Sequence, residues 1–195
     1  MPYHFYALIA RMRHIARWGL MRNTQPENLQ EHSFVTAVLA HALALIRREI
    51  LHLPSADPAR AAEAALFHDA AEIYTGDLPT PVKYFDPEIR AAYQRVETSA
   101  CARLLSLLPE ALHAHYRPLV SESGEDELLH TVRAADKLAA YLKCLEELRA
   151  GNDEFARAAR QSLDKLQAMR RPEVDWFLTH CAPSFSLSLD VLTDN

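Results

Sequence analysis

The sequence predicts an all-α fold, a compact helical domain over residues 1–195. Three observations carry that prediction. Ala, Leu, Glu and Arg, which lose little freedom in a helix, are frequent. Long alternating β-branched runs, which would mark strands, do not occur. Capping residues recur ahead of apolar stretches, and the 4 glycines lie near element ends.

The elements follow in order. Residues 3–16 are apolar but interrupted by Arg11 and Arg13, with Arg17 just beyond, so they read as an amphipathic helix and not as a signal peptide. Thr24 and Glu27 have capping-box spacing ahead of a helix over 28–51. Asp57-Pro58 and Asp86-Pro87 each set a capping carboxylate before a proline at the first helical position. They open helices over 58–74 and 87–107. Between these, Thr75 to Phe85 contains Gly76, Pro79 and Pro81 and predicts a rigid loop. Helices over 109–116 and 125–149 come next. Gly151-Asn152 ends the second of these and caps a helix over 153–169. The last helix covers 172–181, and the tail from Pro183 reads as a docked extended strap. This is not the pattern of a simple four-helix bundle.

Composition narrows the partners. A formal net charge of -5 offers no basic excess to release counterions, which argues against a nucleic acid polymer as ligand. No charge-free apolar segment approaches 18 residues, so no membrane association is expected. Cys101, Cys144 and Cys181 are odd in number and widely spaced, with no CxxC pair. They suit reduced core thiols in a cytoplasmic protein.

The chemistry gathers around LFHDAAEIYTGDLPTP, Leu66 to Pro81. His68 and Asp69 sit on an apolar helix, where burying an unpaired charge is costly. Adjacent helical residues point about 100° apart, so the two can approach one cation from two sides without completing its shell. His32 opens an apolar run on an earlier helix, and Asp136 lies among small apolar residues on a later one. Together they make an ordered set, His32, His68-Asp69 and Asp136, drawn from three helices. Two nitrogens and two carboxylates leave room for water or substrate oxygens, as a catalytic metal requires. Singly, each residue has an ordinary reading. His32 would be a hydrogen-bonded histidine, and Asp136 would pair with Lys137 or Arg133 on the helix surface. The set is far more specific than its members.

The H…HD…D order resembles the HD superfamily of metal phosphohydrolases. The surrounding words are closer still: RWGLMRN (17–23), ENLQEHS (27–33), HDAAEIYTGDLPTPVKYF (68–85), AYLKCLEELRAGNDEF (140–155) and PSFSLSLD (183–190). They resemble the bacterial 5'-deoxynucleotidases of the YfbR type over nearly the whole chain. The resemblance implies an HD-domain helical fold, with metal ligands His32, His68, Asp69 and Asp136. It implies hydrolysis of deoxyribonucleoside 5'-monophosphates to deoxynucleosides and phosphate. It further implies activation by Co2+ or Mn2+, although the donor set also admits Zn2+, Fe2+ or Cu2+. A homodimer is expected, with the long helices over 87–107 and 125–149 as surfaces for it.

Glu72 follows His68 by four residues and Asp69 by three, offsets that share a helix face. It is the expected proton relay, orienting the attacking water. Arg17 is the expected phosphate partner and a catalytic residue, since a guanidinium suits phosphate oxygens bidentately. Arg13, Arg22 and Lys83 are secondary candidates. Trp18 offers a flat wall to sugar or base, or else packs in the core. Asp77 would accept from a sugar hydroxyl, or else cap its turn. Leu78, Pro79 and Thr80 would shape the pocket, and His32 and Asp69 would also touch substrate. Trp18 crowding the 2' position while Asp77 reads the 3'-hydroxyl would explain a deoxy preference. An alarmone hydrolase is disfavoured because Glu72 is followed by Ile73 where those enzymes carry HDxxED, and a cyclic-dinucleotide enzyme would show a downstream GYP. His41 is nine residues from His32, on the opposite side of its helix, and is a poor ligand for a second metal. A non-catalytic helical regulator on the same scaffold is the alternative from another class.

Overall fold

A computed structural model describes residues 2–83, 85–121 and 126–193, without the side chains of Thr80 and Pro81. The described residues form helices α1 (Phe5–Ile9), α2 (Leu29–Leu45), α3 (Pro58–Phe67), α4 (Glu72–Thr75), α5 (Thr80–Lys83) and α6 (Pro87–Leu105). They continue with α7 (His113–Val120), α8 (Glu127–Arg149), α9 (Ala156–Ala168), α10 (Pro172–His180) and α11 (Leu189–Thr193). The sole strand-like feature among them is an isolated bridge between Ala16 and Asn28.

Helices α2, α3 and α8 pack together at the centre, with α9 and α10 against them. The shared core joins Leu39, Ala40, Leu43 and Ala44 to Ala61, Ala64 and Ala65, and to Ala135, Leu138 and Leu142. Alanines at these contacts let the helix axes approach closely, since interaxial distance follows side-chain size. That approach brings residues on three separate helices to one point. By length and composition Leu29–Ile50 could cross a membrane, but 56% of its most apolar window is buried against the rest of the protein. Its apolarity is that of a core helix.

The caps at Asp57 and Asp86 form as expected. Asp57 accepts from the Arg60 N–H at 2.9 Å and Asp86 from the Glu88 N–H at 2.7 Å. Other expectations need correction. The capping box of α2 is not Thr24/Glu27 but Asn28/Glu31, because Thr24 and Glu27 are drawn into other contacts. Asn152 precedes the next helical turn without capping it; its amide donates instead to the Arg22 carbonyl and Glu147. Helix α7 runs to Val120, past Pro118, because burial of Leu119 and Val120 outweighs proline's local cost.

The 75–85 segment is not all loop, since Thr80–Lys83 winds into α5. Nor is the tail extended. Ala182–Ser186 forms a 3₁₀ turn and Leu189–Thr193 forms α11, with Arg149 donating to the Leu187 carbonyl. The start of the 125–149 helix at Glu125 lies outside the described residues, and Asp126 caps α8 by accepting from the Leu129 N–H.

The largest departure concerns the expected helix over 58–74. Its α-helical pattern stops at Phe67, and i→i+3 bonds carry the chain to α4 (Phe67 to Ala70, Asp69 to Glu72, Ala70 to Ile73). His68 supplies a local reason. Its Nδ1 lies 2.7 Å from the Ala65 carbonyl, which an unbroken helix would offer to the Asp69 N–H.

Candidate metal centre

His32, near the start of α2, is wholly buried. Its Nε2 stands 3.1 Å from Asp136 Oδ1, contributed by α8, and 3.7 Å from Asp69 Oδ2. His68 Nε2 lies 3.0 Å from Asp69 Oδ2 and 4.0 Å from Asp136 Oδ1. Ligand atoms of His32, His68 and Asp136 all fall within 4.8 Å of one another. Donors bound at about 2.1 Å to a single cation stand about 3–4 Å apart, which is the spacing found here.

The hydrogen bonds agree with that geometry. With Nδ1–H donated to the Ala65 carbonyl, His68 would offer a lone pair at Nε2 once deprotonated, the tautomer a metal ligand needs. This Nε2 is buried without a hydrogen-bond partner, despite its closeness to Asp69. Asp136 divides its oxygens, Oδ1 toward His32 and Oδ2 toward Lys137 Nζ at 3.5 Å. The surface pairing with Lys137 therefore exists alongside the inward-facing contact. The residues fit a divalent cation.

The titration of these groups indicates what such a cation would displace. Burial alone would lower His68, but Asp69 and Asp136 outweigh it and hold the ring up at about 9. Burial likewise opposes ionised Asp69, yet His68 and His32 bring it down to about 2. Asp136 also lies well below the usual range, held there against burial by His32 and Lys137. A metal taking His68 would release the proton that otherwise neutralises this pair.

Glu72 opens α4 and reaches the site through the turn after His68, not along one continuous helix face. Its Oε2 is buried and unpartnered. Burial, with the carboxylates of Asp69 and Asp77, pushes Glu72 up to about 9. A bound cation would draw it back down by favouring the carboxylate.

Arg17 precedes the site in the loop between α1 and α2. Its Nη1 lies 3.5 Å from Asp69 Oδ2 and its Nε donates to Glu27 Oε2 at 3.1 Å. Burial opposes its charge, but Asp69, Asp136, Glu27 and Asp77 overcome that and raise its pKa. The other cations are engaged elsewhere. Arg13 Nε bonds the Ala10 carbonyl, Arg22 pairs with Glu154 and Lys83 with Glu97. His41 is exposed, as its position relative to His32 predicts.

Trp18 meets the packing expectation. One side packs on Phe155, with ring centroids 5.3 Å apart, while the residue stays half-buried. Its backbone is left-handed at φ 57, a conformation that costs a bulky residue about 1–3 kcal/mol. Asp77 is half-buried and acts electrostatically on both Arg17 and Glu72. Leu78 and Pro79 beside it are half-buried, and the Thr80 side chain lies outside the described residues.

The sequence offered Glu27 only as a capping partner for Thr24, not as a site residue. The same oxygen that accepts from Arg17 accepts from Trp18 Nε1 at 3.0 Å. The only hint in the sequence was its place in ENLQEHS, five residues before His32.

Comparison with known proteins places this site in context. The family described as 5'-deoxynucleotidase YfbR-like matches residues 4–185. A 5'-deoxynucleotidase of Vibrio parahaemolyticus is 49% identical over 97% of this chain and 98% of its own. One from Erwinia tasmaniensis is 47% identical over 97% and 96%. Among solved structures, an HD-domain phosphohydrolase from Listeria innocua superposes with a TM-score of 0.81 at 23% identity, covering 98% of this chain and 93% of that one. A cyanophage S-2L HD phosphohydrolase, bound to dA and one catalytic Zn2+ ion, gives 0.63 at 22% identity over 91% and 96%. These two likenesses bear on the fold, which is the all-α HD fold. The agreement of sequence along almost its entire length means that the chain belongs to the YfbR-like 5'-deoxynucleotidase family.

Proposed function

We propose that this chain is a metal-dependent 5'-deoxynucleotidase that hydrolyses deoxyribonucleoside 5'-monophosphates to a deoxynucleoside and phosphate. The observation that carries this is the meeting of His32, His68, Asp69 and Asp136 in a member of this family. These four residues would hold one divalent cation, Co2+ or Mn2+ in our reading. When bound, that cation would polarise the phosphoryl group and acidify water.

The chain's own residues supply the rest. Arg17 binds phosphate oxygens from the side of Asp69, where its charge is secured by surrounding carboxylates. His32 and Asp69 also border the phosphate. Glu72 orients the attacking water and relays its proton to the 5'-oxygen as the P–O5' bond breaks and the new P–O bond forms. Trp18 walls the sugar at the 2' side, and Asp77 accepts from the 3'-hydroxyl. Leu78 and Pro79, half-buried beside Asp77, would shape the pocket there.

We also propose a single cytoplasmic domain working as a homodimer. Cys101, Cys144 and Cys181 carry thiols and not disulfides, which suits a reducing compartment. Helix α8 spends its apolar face in the core, which removes most of it as an interface. Phe34, 63% exposed, and Val38, 52% exposed, sit one turn apart on α2 and give a second copy an apolar surface.

The deciding experiment is phosphate release from a panel of deoxy- and ribonucleoside monophosphates with Co2+ or Mn2+, with and without chelator. Turnover of the deoxy series that chelator removes is expected. A metal-replete protein inactive on every nucleotide would instead be a regulator on the same scaffold.

A further inference from the structure

Building on that deoxynucleotidase reading, we propose that Glu27 is a positioning residue, whose carboxylate sets the Arg17–Trp18 pair against the incoming nucleotide. One oxygen does this for both. Glu27 Oε2 accepts from Arg17 Nε at 3.1 Å and from Trp18 Nε1 at 3.0 Å. Its other oxygen, Oε1, stands 4.0 Å from His32 Nδ1, too far for a hydrogen bond, so it acts on that ring only through its field.

The backbone fixes this carboxylate opposite its partners. The Arg17 N–H donates to the Glu27 carbonyl at 2.9 Å, and the Leu29 N–H donates to the Ile15 carbonyl at 2.9 Å. With the Ala16–Asn28 bridge, these bonds close the loop across its base. Trp18 then sits left-handed, a state that persists only where its surroundings over-determine it. The indole bond to Glu27 and the packing on Phe155 are two such constraints. Arg17 is held at Nε by Glu27 and meets Asp69 through Nη1, so the orientation of the guanidinium beside the metal corner depends on Glu27. The Glu27 side chain is only 13% exposed, and the charge-assisted bond to Arg17 is among the stronger kinds. A small displacement of such groups costs rate and affinity although the reacting atoms are untouched.

The test uses the full-length protein in a Trp176→Phe background, so that Trp18 provides the single indole. Glu27→Ala, Glu27→Asp and Glu27→Gln are compared by the indole N–H resonance and its hydrogen exchange, neither of which needs metal or substrate. KM, kcat and the deoxy-over-ribo ratio are then measured with Co2+. In Glu27→Ala and Glu27→Asp the resonance should shift and exchange faster, KM should rise by about tenfold or more, and the ratio should fall. Glu27→Gln, whose amide oxygen still accepts from the indole, should keep the resonance near wild type and recover most of the ratio. If Glu27→Ala does not fold, Glu27→Asp carries the comparison, because it keeps the charge but retreats by one methylene.

A folded Ala or Asp variant with an unmoved indole resonance overturns the proposal. So does one that only melts earlier, with KM and the ratio unchanged. Failure of the functional reading looks different: wild type would release no phosphate, while the indole comparison would still report whether Glu27 holds Trp18.

Discussion

His32 Nε2 and Asp136 Oδ1 lie 3.1 Å apart although 104 residues separate them in the chain. Each comes from a long core helix, and close packing of α2 on α8 sets the distance. Asp136 is the more informative of the two to remove, because it binds the site to α8 and keeps its second oxygen for Lys137. Asp136→Ala should weaken Co2+ binding by about a hundredfold or more and lose turnover in parallel. Titration calorimetry of the metal-free protein, beside phosphate release, checks this. Metal affinity at the wild-type level would show that Asp136 is not a ligand.

Glu72 should separate binding from chemistry. Glu72→Ala removes a buried carboxyl that the ligand set does not require, so metal affinity should hold within a few fold. Meanwhile kcat should drop by about 10²–10⁴. A variant that turns over at the wild-type rate would remove the proton relay from the mechanism.

The sugar preference should depend on Trp18. If Trp18 crowds the 2' position as proposed, Trp18→Ala should raise turnover of ribonucleotides relative to matched deoxynucleotides. An unchanged ratio would take Trp18 out of the discrimination and leave it to its packing on Phe155.

Acid should loosen the loop that carries Arg17 and Trp18. Glu147 is buried, 1% exposed, and burial alone would raise its pKa. Bonds from Lys143, Asn152 and Thr24 instead hold it far below the ordinary range. A depressed folded-state pKa gives stability that is complete above the unfolded value of about 4.3 and is lost as pH falls below it. The wild-type melting temperature should therefore fall between about pH 5 and pH 3. Glu147→Gln should melt earlier at neutral pH, by an amount reflecting about 3–5 kcal/mol for a broken buried pair, and should show a flatter acid limb. Parallel acid limbs in both proteins would mean that Glu147 is not the group titrating.

The helical class, the proline-led starts at Asp57 and Asp86, and the residue types able to hold a cation are legible in the order of residues. Those features are local: a cap acts within one turn, and a donor type is visible in a single letter. How they combine depends on the folded chain. The helix break after Phe67, with His68 turned to the Ala65 carbonyl, places Glu72 by a route that helix periodicity alone did not predict. Arg17, preferred over Arg13, Arg22 and Lys83 from the sequence, meets Asp69 only in the folded chain, where the other three pair elsewhere. Glu27 gained its place because loop closure set one carboxylate against two side chains nine and ten residues away. Contacts of that kind depend on the packing of alanine-lined helices and the closure of a loop, and neither leaves a periodic trace in the order of residues.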